Sequence, residues 1–268
     1  MRETMGAAQE GSKGSQIVAP IVSPPSAVLS LAALGLRNYL RGRLIWGCYA
    51  LLALPLAVVI PLNITGYGLE GDDIGTFFRV WATSLLPLAA VLIAYSGVSE
   101  EVESQTITYV FSRPLPRWSL PVGKLLTAWI LAAPAACIFI GAGATLAGLK
   151  PINTELFVAL ILGSAVYCAM ASTAGALVPK HAVFASLGLI AFLDMGLSKV
   201  PGFTQTLTPS FHVENLAGLR PPPGGLSKII TTPTTEPGTS IMALFVLTAL
   251  FLMIAIVRSS FWEHRRQG

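Results

Sequence analysis

The chain is short of charge. Only 11% of its 268 residues are Asp, Glu, Lys or Arg, while 53% are hydrophobic, and a soluble domain carries about 25% charged residues. Together with a mean hydropathy of +0.69, this deficit excludes an ordinary soluble domain and implies an integral membrane protein. Cysteine is scarce as well. Cys48, Cys137 and Cys168 all fall in apolar stretches, so no disulfide framework is expected and they read as small buried apolar residues. Histidine is confined to the scattered His181, His212 and His264. No nucleophile elbow accompanies them, and nothing near His212 completes a metal-ligand set. Neither catalysis nor a cofactor or metal site is expected of this chain, and His212 reads as a polar loop residue. A P-loop is missing too: Gly123-Lys124 is followed by Leu125, and Trp118 stands five positions before Gly123, so ATP cannot be held by that motif.

What the chain has is apolar runs near the ~20 residues needed to cross a bilayer. They extend from Leu44 to Leu62, Phe77 to Gly97, Leu120 to Ala147, Leu156 to Val178, Ala182 to Leu197 and Ser240 to Val257. The expected fold class is therefore an all-α integral membrane protein with six transmembrane helices. The fifth run is short and carries Asp194, and Pro55 and Pro134 interrupt the first and third, so a count of five stays open. Under six spans, twelve of the 17 basic residues fall on one side, including Arg37, Arg41, Arg43, Arg113, Arg117 and Lys124. Arg79, Lys150, Lys199, Arg220 and Lys228 fall on the other. Short loops rich in Lys and Arg remain cytoplasmic, so both termini are expected in the cytoplasm of a multi-pass protein of the cell membrane. The formal net charge of +4 is then a topology signal rather than a sign of nucleic-acid binding.

Residues 1–25, rich in Gly, Ser and Pro, are expected to form a disordered cytoplasmic tail, with no removable signal peptide. Over residues 26–43, Leu29, Ala32, Ala33, Leu36 and Leu40 recur at helical spacing, with Ser30, Arg37 and Arg41 elsewhere on the wheel. This pattern predicts an interfacial amphipathic helix, its stripe in the acyl boundary and its arginines among lipid phosphates; an extended start to the first span is the alternative. Residues 44–268 hold the transmembrane domain. Within it, the long outer loop 199–238 is rich in proline and reads as a short lid or re-entrant turn.

The remaining charge gathers in the loop 98–120, which holds Glu100, Glu101 and Glu103, then Thr106-Ile-Thr-Tyr-Val-Phe111, then Arg113-Pro114, Arg117-Trp118 and, just past it, Gly123-Lys124. A short helix with an acidic start, ended by Pro114, is expected there. The order Glu, Thr, an apolar helical turn, Arg-Pro, Arg-Trp and Gly-Lys resembles the cytoplasmic loop of ABC transporter permeases of the type 2 exporter class. The chain departs from that pattern at Gln105, where the family favours Gly, and at Pro116, where Ser or Thr is common. The resemblance implies a coupling helix between the second and third spans. By it Glu103, Thr106, Pro114, Arg117, Gly123 and Lys124 fall on family positions, and the expected ATPase-coupling set is Glu100, Glu101, Glu103, Thr106, Tyr109, Arg113, Pro114, Arg117 and Lys124. It also implies a separate cytoplasmic ATPase subunit carrying ATP and Mg, and pairing of this chain as a homodimer or with a paralogous permease. The family's segment before the last span is resembled by Thr208-Pro209-Ser210-Phe211-His212 with Gly218.

Two rival functions remain at this level: a membrane scaffold whose loop recruits a cytoplasmic partner without moving cargo, and an ion-coupled secondary transporter. The second needs inverted repeats and midplane polar groups, and the sequence offers only Asp194. An ionised group at the bilayer centre costs ~2.5–3.5 kcal/mol on insertion scales, so Asp194 calls for a partner. Either it belongs to a substrate or proton path, or it lies in the outer part of its span, paired with Lys199 or Arg79.

Overall fold

A computed structural model of the chain describes residues 24–65, 71–103, 118–147, 154–178, 181–200, 203–219 and 235–261. The described residues are almost all helical, with no strand among them. In chain order they form α1 (Pro24–Arg41), α2 (Arg43–Thr65) and α3 (Gly71–Val80), which passes through a π-helical turn, Trp81–Leu85, into α4 (Leu86–Glu103). Next come α5 (Ser119–Ala136), the π segment Cys137–Gly141, α6 (Ala142–Leu146) and α7 (Thr154–Leu177). The last elements are α8 (Ala182–Ile190), which runs into the π segment Ala191–Gly196, then α9 (Pro209–Leu216) and α10 (Pro237–Phe261).

Among the described residues five helices are long and apolar enough to cross a membrane, with hydrophobic stretches at Ile45–Leu62, Gly75–Tyr95, Ser119–Leu146, Thr154–Leu177 and Pro237–Ser260. The expected fifth span corresponds to Ala182–Gly196, a shorter apolar helix. At 1.5 Å per residue its 15 residues reach about 22 Å, less than the roughly 30 Å of a hydrocarbon core. The proline in α4 has a local consequence. Pro87 cannot donate, and its ring would strike the carbonyl four residues earlier. The wider π turn Trp81–Leu85 precedes it, and the Leu86 N–H bonds Trp81 five residues back.

The centre of the bundle is α7, 72% of whose span is buried, against 17% for the peripheral α10. It packs on α4, α5, α8, α9 and α10, which its small residues Gly163, Ser164, Ala169, Ala171 and Ala174 permit by bringing backbones close. Sparse polar ties fix the helices to one another. The Trp129 indole N–H donates to the Ile161 carbonyl at 2.9 Å and the Thr173 hydroxyl to the Phe251 carbonyl at 2.7 Å. Cys48 and Cys168 are buried, and all three cysteines are free thiols.

At one end of the bundle α1 lies against α5. A Cβ on Gly35 would meet Thr127 Oγ1 at 2.9 Å, and one on Gly123 would meet Leu31 Cβ at 3.2 Å. The Thr127 hydroxyl is shared between the carbonyls of Gly123 at 2.8 Å and Ala32 at 3.3 Å, and the Tyr39 hydroxyl donates to Ala94 at 3.3 Å. This docking splits the apolar stripe expected from the sequence. Ala32 and Leu36 turn onto the bundle, while Leu29, Leu34 and Leu40 share the exposed face with Arg37.

At that same end, Ala182 of α8 packs against Gly175 of α7, but α8 does not keep pace with α7 to the other end. The π segment that extends it brings Asp194 onto Tyr167, close to the midpoint of the 24-residue α7. From there α9 occupies the remaining height, with Val213 against Gly163 and His212 and Asn215 against Ser240 in the first turn of α10. Its exit is a Schellman turn: the Leu219 N–H returns to the Glu214 carbonyl at 3.0 Å and Gly218 adopts φ +67°, which favours glycine.

The closest of these approaches is testable. A Cβ on Gly163 would stand 2.8 Å from Val213 Cγ2, and Val213 is both fully buried and stiff at χ1. Gly163→Ala is expected to destabilise the fold by about 1–3 kcal/mol. Gly47→Ala in α2, where an added Cβ meets nothing within 4 Å, should be neutral or stabilising by up to ~1 kcal/mol. Thermal unfolding of the two variants in detergent gives the comparison.

Candidate functional site

The polar residues that the described structure brings together lie around α9. The sequence marks the start of this helix: Thr208 is extended at the N-cap and Pro209 takes the first position, where its missing N–H costs nothing. Opposite that start stands Asp194. The buried stripe of α8, Ala182, Ser186 and Ile190, repeats every four residues. Such a step overshoots an α-helical turn by about 40°. The wider turn of Ala191–Gly196 keeps Asp194 inward on this stripe, with none of its surface exposed.

The Tyr167 hydroxyl donates to Asp194 Oδ2 at 2.8 Å, and the Ser210 backbone N–H donates to Oδ1 at 2.8 Å. Asp194 thus caps α9 from another part of the chain, meeting one of the four N–H groups that a helix start leaves unpaired at the positive end of its dipole. The Ser210 hydroxyl is buried without a hydrogen-bond partner among the described residues.

A second set of bonds binds α9 to its neighbours. Arg79 Nε and Glu214 Oε1 are 3.0 Å apart, half-exposed on the Arg79 side. Asn215 Nδ2 donates to the Thr235 carbonyl at 2.9 Å and to Ser240 Oγ at 3.0 Å. His212 Nε2 lies 2.8 Å from the Thr206 carbonyl and Nδ1 lies 3.3 Å from Ser240 Oγ. Burial pushes the imidazole below the ordinary histidine range, partly opposed by the bond to Thr206. No three acidic, histidine or cysteine side chains gather to hold a metal among the described residues.

Several sequence expectations are corrected here. Arg79 is the partner of Glu214 rather than of Asp194, whose charge is met by a hydroxyl and a helix start. His212 is no solvated loop residue: it is 2% exposed. Glu100, Glu101 and Glu103 belong to α4, which carries on through Glu103, while the expected short helix over Thr106–Phe111 lies outside the described residues. Past Pro87 in its first turn, α4 holds only the single Gly97 as a weak helix former, and Glu is a good one.

Of the other coupling candidates, Lys124 is half-buried near the start of α5. Thr106, Tyr109, Arg113, Pro114 and Arg117 lie outside the described residues, as do the side chains of the three glutamates and Lys199. The residues that sequence reasoning missed are Tyr167, Ser210, Asn215 and Ser240. A hydroxyl-bearing aromatic inside an apolar span and the Thr-Pro helix start were the available signals.

Removing the carboxylate leaves the Tyr167 hydroxyl and the Ser210 N–H buried and unpaired, at about 1–3 kcal/mol each. Asp194→Ala is therefore expected to lower stability by roughly 2–5 kcal/mol. Asp194→Asn, which keeps an acceptor for Ser210, should cost less than half as much. Tyr167→Phe combined with Asp194→Ala should be less than additive. Denaturation of the single and double variants in detergent checks the ranking.

No protein-family model matches the chain and no curated protein matches it.

Proposed function

We propose that the chain is the transmembrane permease subunit of an ATP-binding cassette transporter, forming the translocation path with a second copy or a paralogue and most simply acting in export. A separate cytoplasmic ATPase, holding ATP and Mg, grips the segment 98–120. The observation that carries this reading is the joint between α1 and α5. Gly35, Gly123 and Thr127 bring the two backbones too close for an added Cβ without displacement of a neighbour, at the first turns of α5, where the chain re-enters the bundle from the coupling segment. Tyr39 ties α1 to α4 on the other flank of that segment. A push on residues 98–120 would reach α4, α5 and α1 as one body rather than dissipate in a loose loop.

The glutamates fit the same role. Glu100, Glu101 and Glu103 occupy the carboxyl-terminal turns of α4, where the helix dipole disfavours negative charge, so a basic surface on a partner would relieve them. The short Ala182–Gly196 helix serves as a fifth of six crossings, with α9 covering the depth it leaves. On an even count both ends of the chain share the cytoplasmic side. The start of α5 beside α1 and the parallel course of α7 and α10 through Thr173 and Phe251 support that arrangement.

Glu101→Lys combined with Glu103→Lys is expected to abolish co-purification of a P-loop ATPase from native membranes and to abolish ATP-driven cargo movement, while leaving the thermal midpoint of the isolated chain unchanged. An ATPase that stays bound with transport intact would show the coupling role to be wrong. Retention of a partner that never drives movement would favour a scaffold.

A further inference from the structure

We propose that the exposed face of α1, together with Arg43 and Trp46 at the start of α2, is a binding site for an anionic phospholipid. The side of α1 that meets the bundle is spent: Ala32 and Tyr39 are buried, and Leu31 lies against Gly123. The opposite side carries Leu29, Ala33, Leu34, Arg37 and Leu40, all exposed. Residues three or four apart stand side by side on a helix. Arg37 therefore has Ala33 and Leu34 one turn before it and Leu40 one turn after it. Its guanidinium is set among apolar side chains instead of on a polar face of its own.

An arginine so placed needs an anion, and its surroundings supply none. From Pro24 to Thr65 the sequence holds Arg37, Arg41 and Arg43 and no Asp or Glu. Among the described residues neither Arg37 nor Arg43 has an acidic partner, whereas Arg79 is paired with Glu214. Tyr39 meets α4 at Ala94, well short of Glu100. A phospholipid answers both halves of the face. Its acyl chains cover the leucines, the long arginine stem lifts its head to the polar level, and phosphate oxygens match the guanidinium fork. The headgroup must carry net negative charge, because a zwitterionic lipid brings a cation of its own to a corner already crowded with cations.

Arg43 and Trp46 set the depth of the site. Trp46 is 65% exposed and stands edge-on to Tyr49 at 6.3 Å, and an outward Trp marks the headgroup level. Arg43, one turn earlier, is exposed as well. The Gly42 N–H returns to the Tyr39 carbonyl at 2.9 Å, which holds the last turn of α1 close to this corner. The outer face of α10 offers a contrast. Met242, Phe245, Val246, Leu250 and Met253 are exposed there, and no charge interrupts residues 237–257, so that face suits any acyl chain. The lipid site does not depend on the permease reading, since it needs only a bilayer around the bundle.

The test is native mass spectrometry of the full chain in detergent with equal amounts of phosphatidylglycerol and phosphatidylcholine, counting which lipid stays bound. The wild type should retain phosphatidylglycerol over phosphatidylcholine by at least about fivefold, the gain that one interfacial cation draws from anionic lipid. Arg37→Gln should lower that preference by about fivefold, and Arg37→Lys should keep most of it. Arg258→Gln, at an exposed arginine in the last turn of α10, should leave it in place. Equal retention of the two lipids by the wild type, or the same loss from Arg258→Gln as from Arg37→Gln, would overturn the site. So would a dimer that forms without retained lipid, which would give the face to a second copy. A preference abolished by soluble glycerol phosphate would also overturn it, by leaving the leucines no part in binding. Should Arg37→Gln fail to fold, Arg43→Gln carries the same expectation.

Discussion

A carboxylate in the dry middle of a helical bundle must find donors, and much of the fold around α9 follows from how Asp194 finds them. With no basic partner among its described hydrogen bonds, it takes the Tyr167 hydroxyl and the first free N–H of a helix that begins beside it. A helix start is a ready anion site because its N–H groups and its dipole point the same way. Three features then belong together: the end of α8 near mid-height, the π turns that hold Asp194 inward, and the start of α9 at that level. Remove the charge and none of the three has an evident cause.

The two ends of the bundle are joined in different ways. Where α1 meets α5, contact is made by glycines and a threonine, with a few weak bonds shared among carbonyls. Around α9 the contact is polar and directional, a series of side-chain bonds in which each hydrogen has one destination. Close backbone packing resists shear but is indifferent to chemistry. A directional series admits one arrangement of its partners, because a polar group left unpaired in a dry interior is costly. A bundle built this way is held by shape where α1 grips it and by hydrogen-bond geometry at the opposite end.

The spans were legible because burial in hydrocarbon leaves a local signature. The expected Leu156–Val178 and Leu44–Leu62 lie within a few residues of Thr154–Leu177 and Arg43–Thr65. The second span was harder. Its apolar run suggested Phe77–Gly97, yet the helix continues through the glutamates to Glu103, since no breaker stops it and hydropathy does not mark where a helix leaves the membrane. The cluster around α9 was almost invisible. Tyr167 and Asp194 are 27 residues apart and His212 and Ser240 are 28 apart, and no spacing rule covers pairs made by the packing of separate helices. Asp194 could be flagged as needing a partner, but charge alone points to Lys199 or Arg79, and a charge-based reading overlooks a helix start. The segment 104–117, on which the family resemblance leans most, lies outside the described residues.

The placement of Ser240 has a consequence for how the chain is made. Residues 209–216 leave the ribosome before Ser240, yet Asn215 has both of its hydrogen-bond partners, and His212 one of its two, on the later segment. Lipid offers no substitute for those partners. During synthesis this short polar helix must wait in water or against the insertion machinery until the last apolar helix arrives. Completion of this cluster is thereby tied to the synthesis of α10, and a chain cut short before α10 would leave Asn215 without its partners.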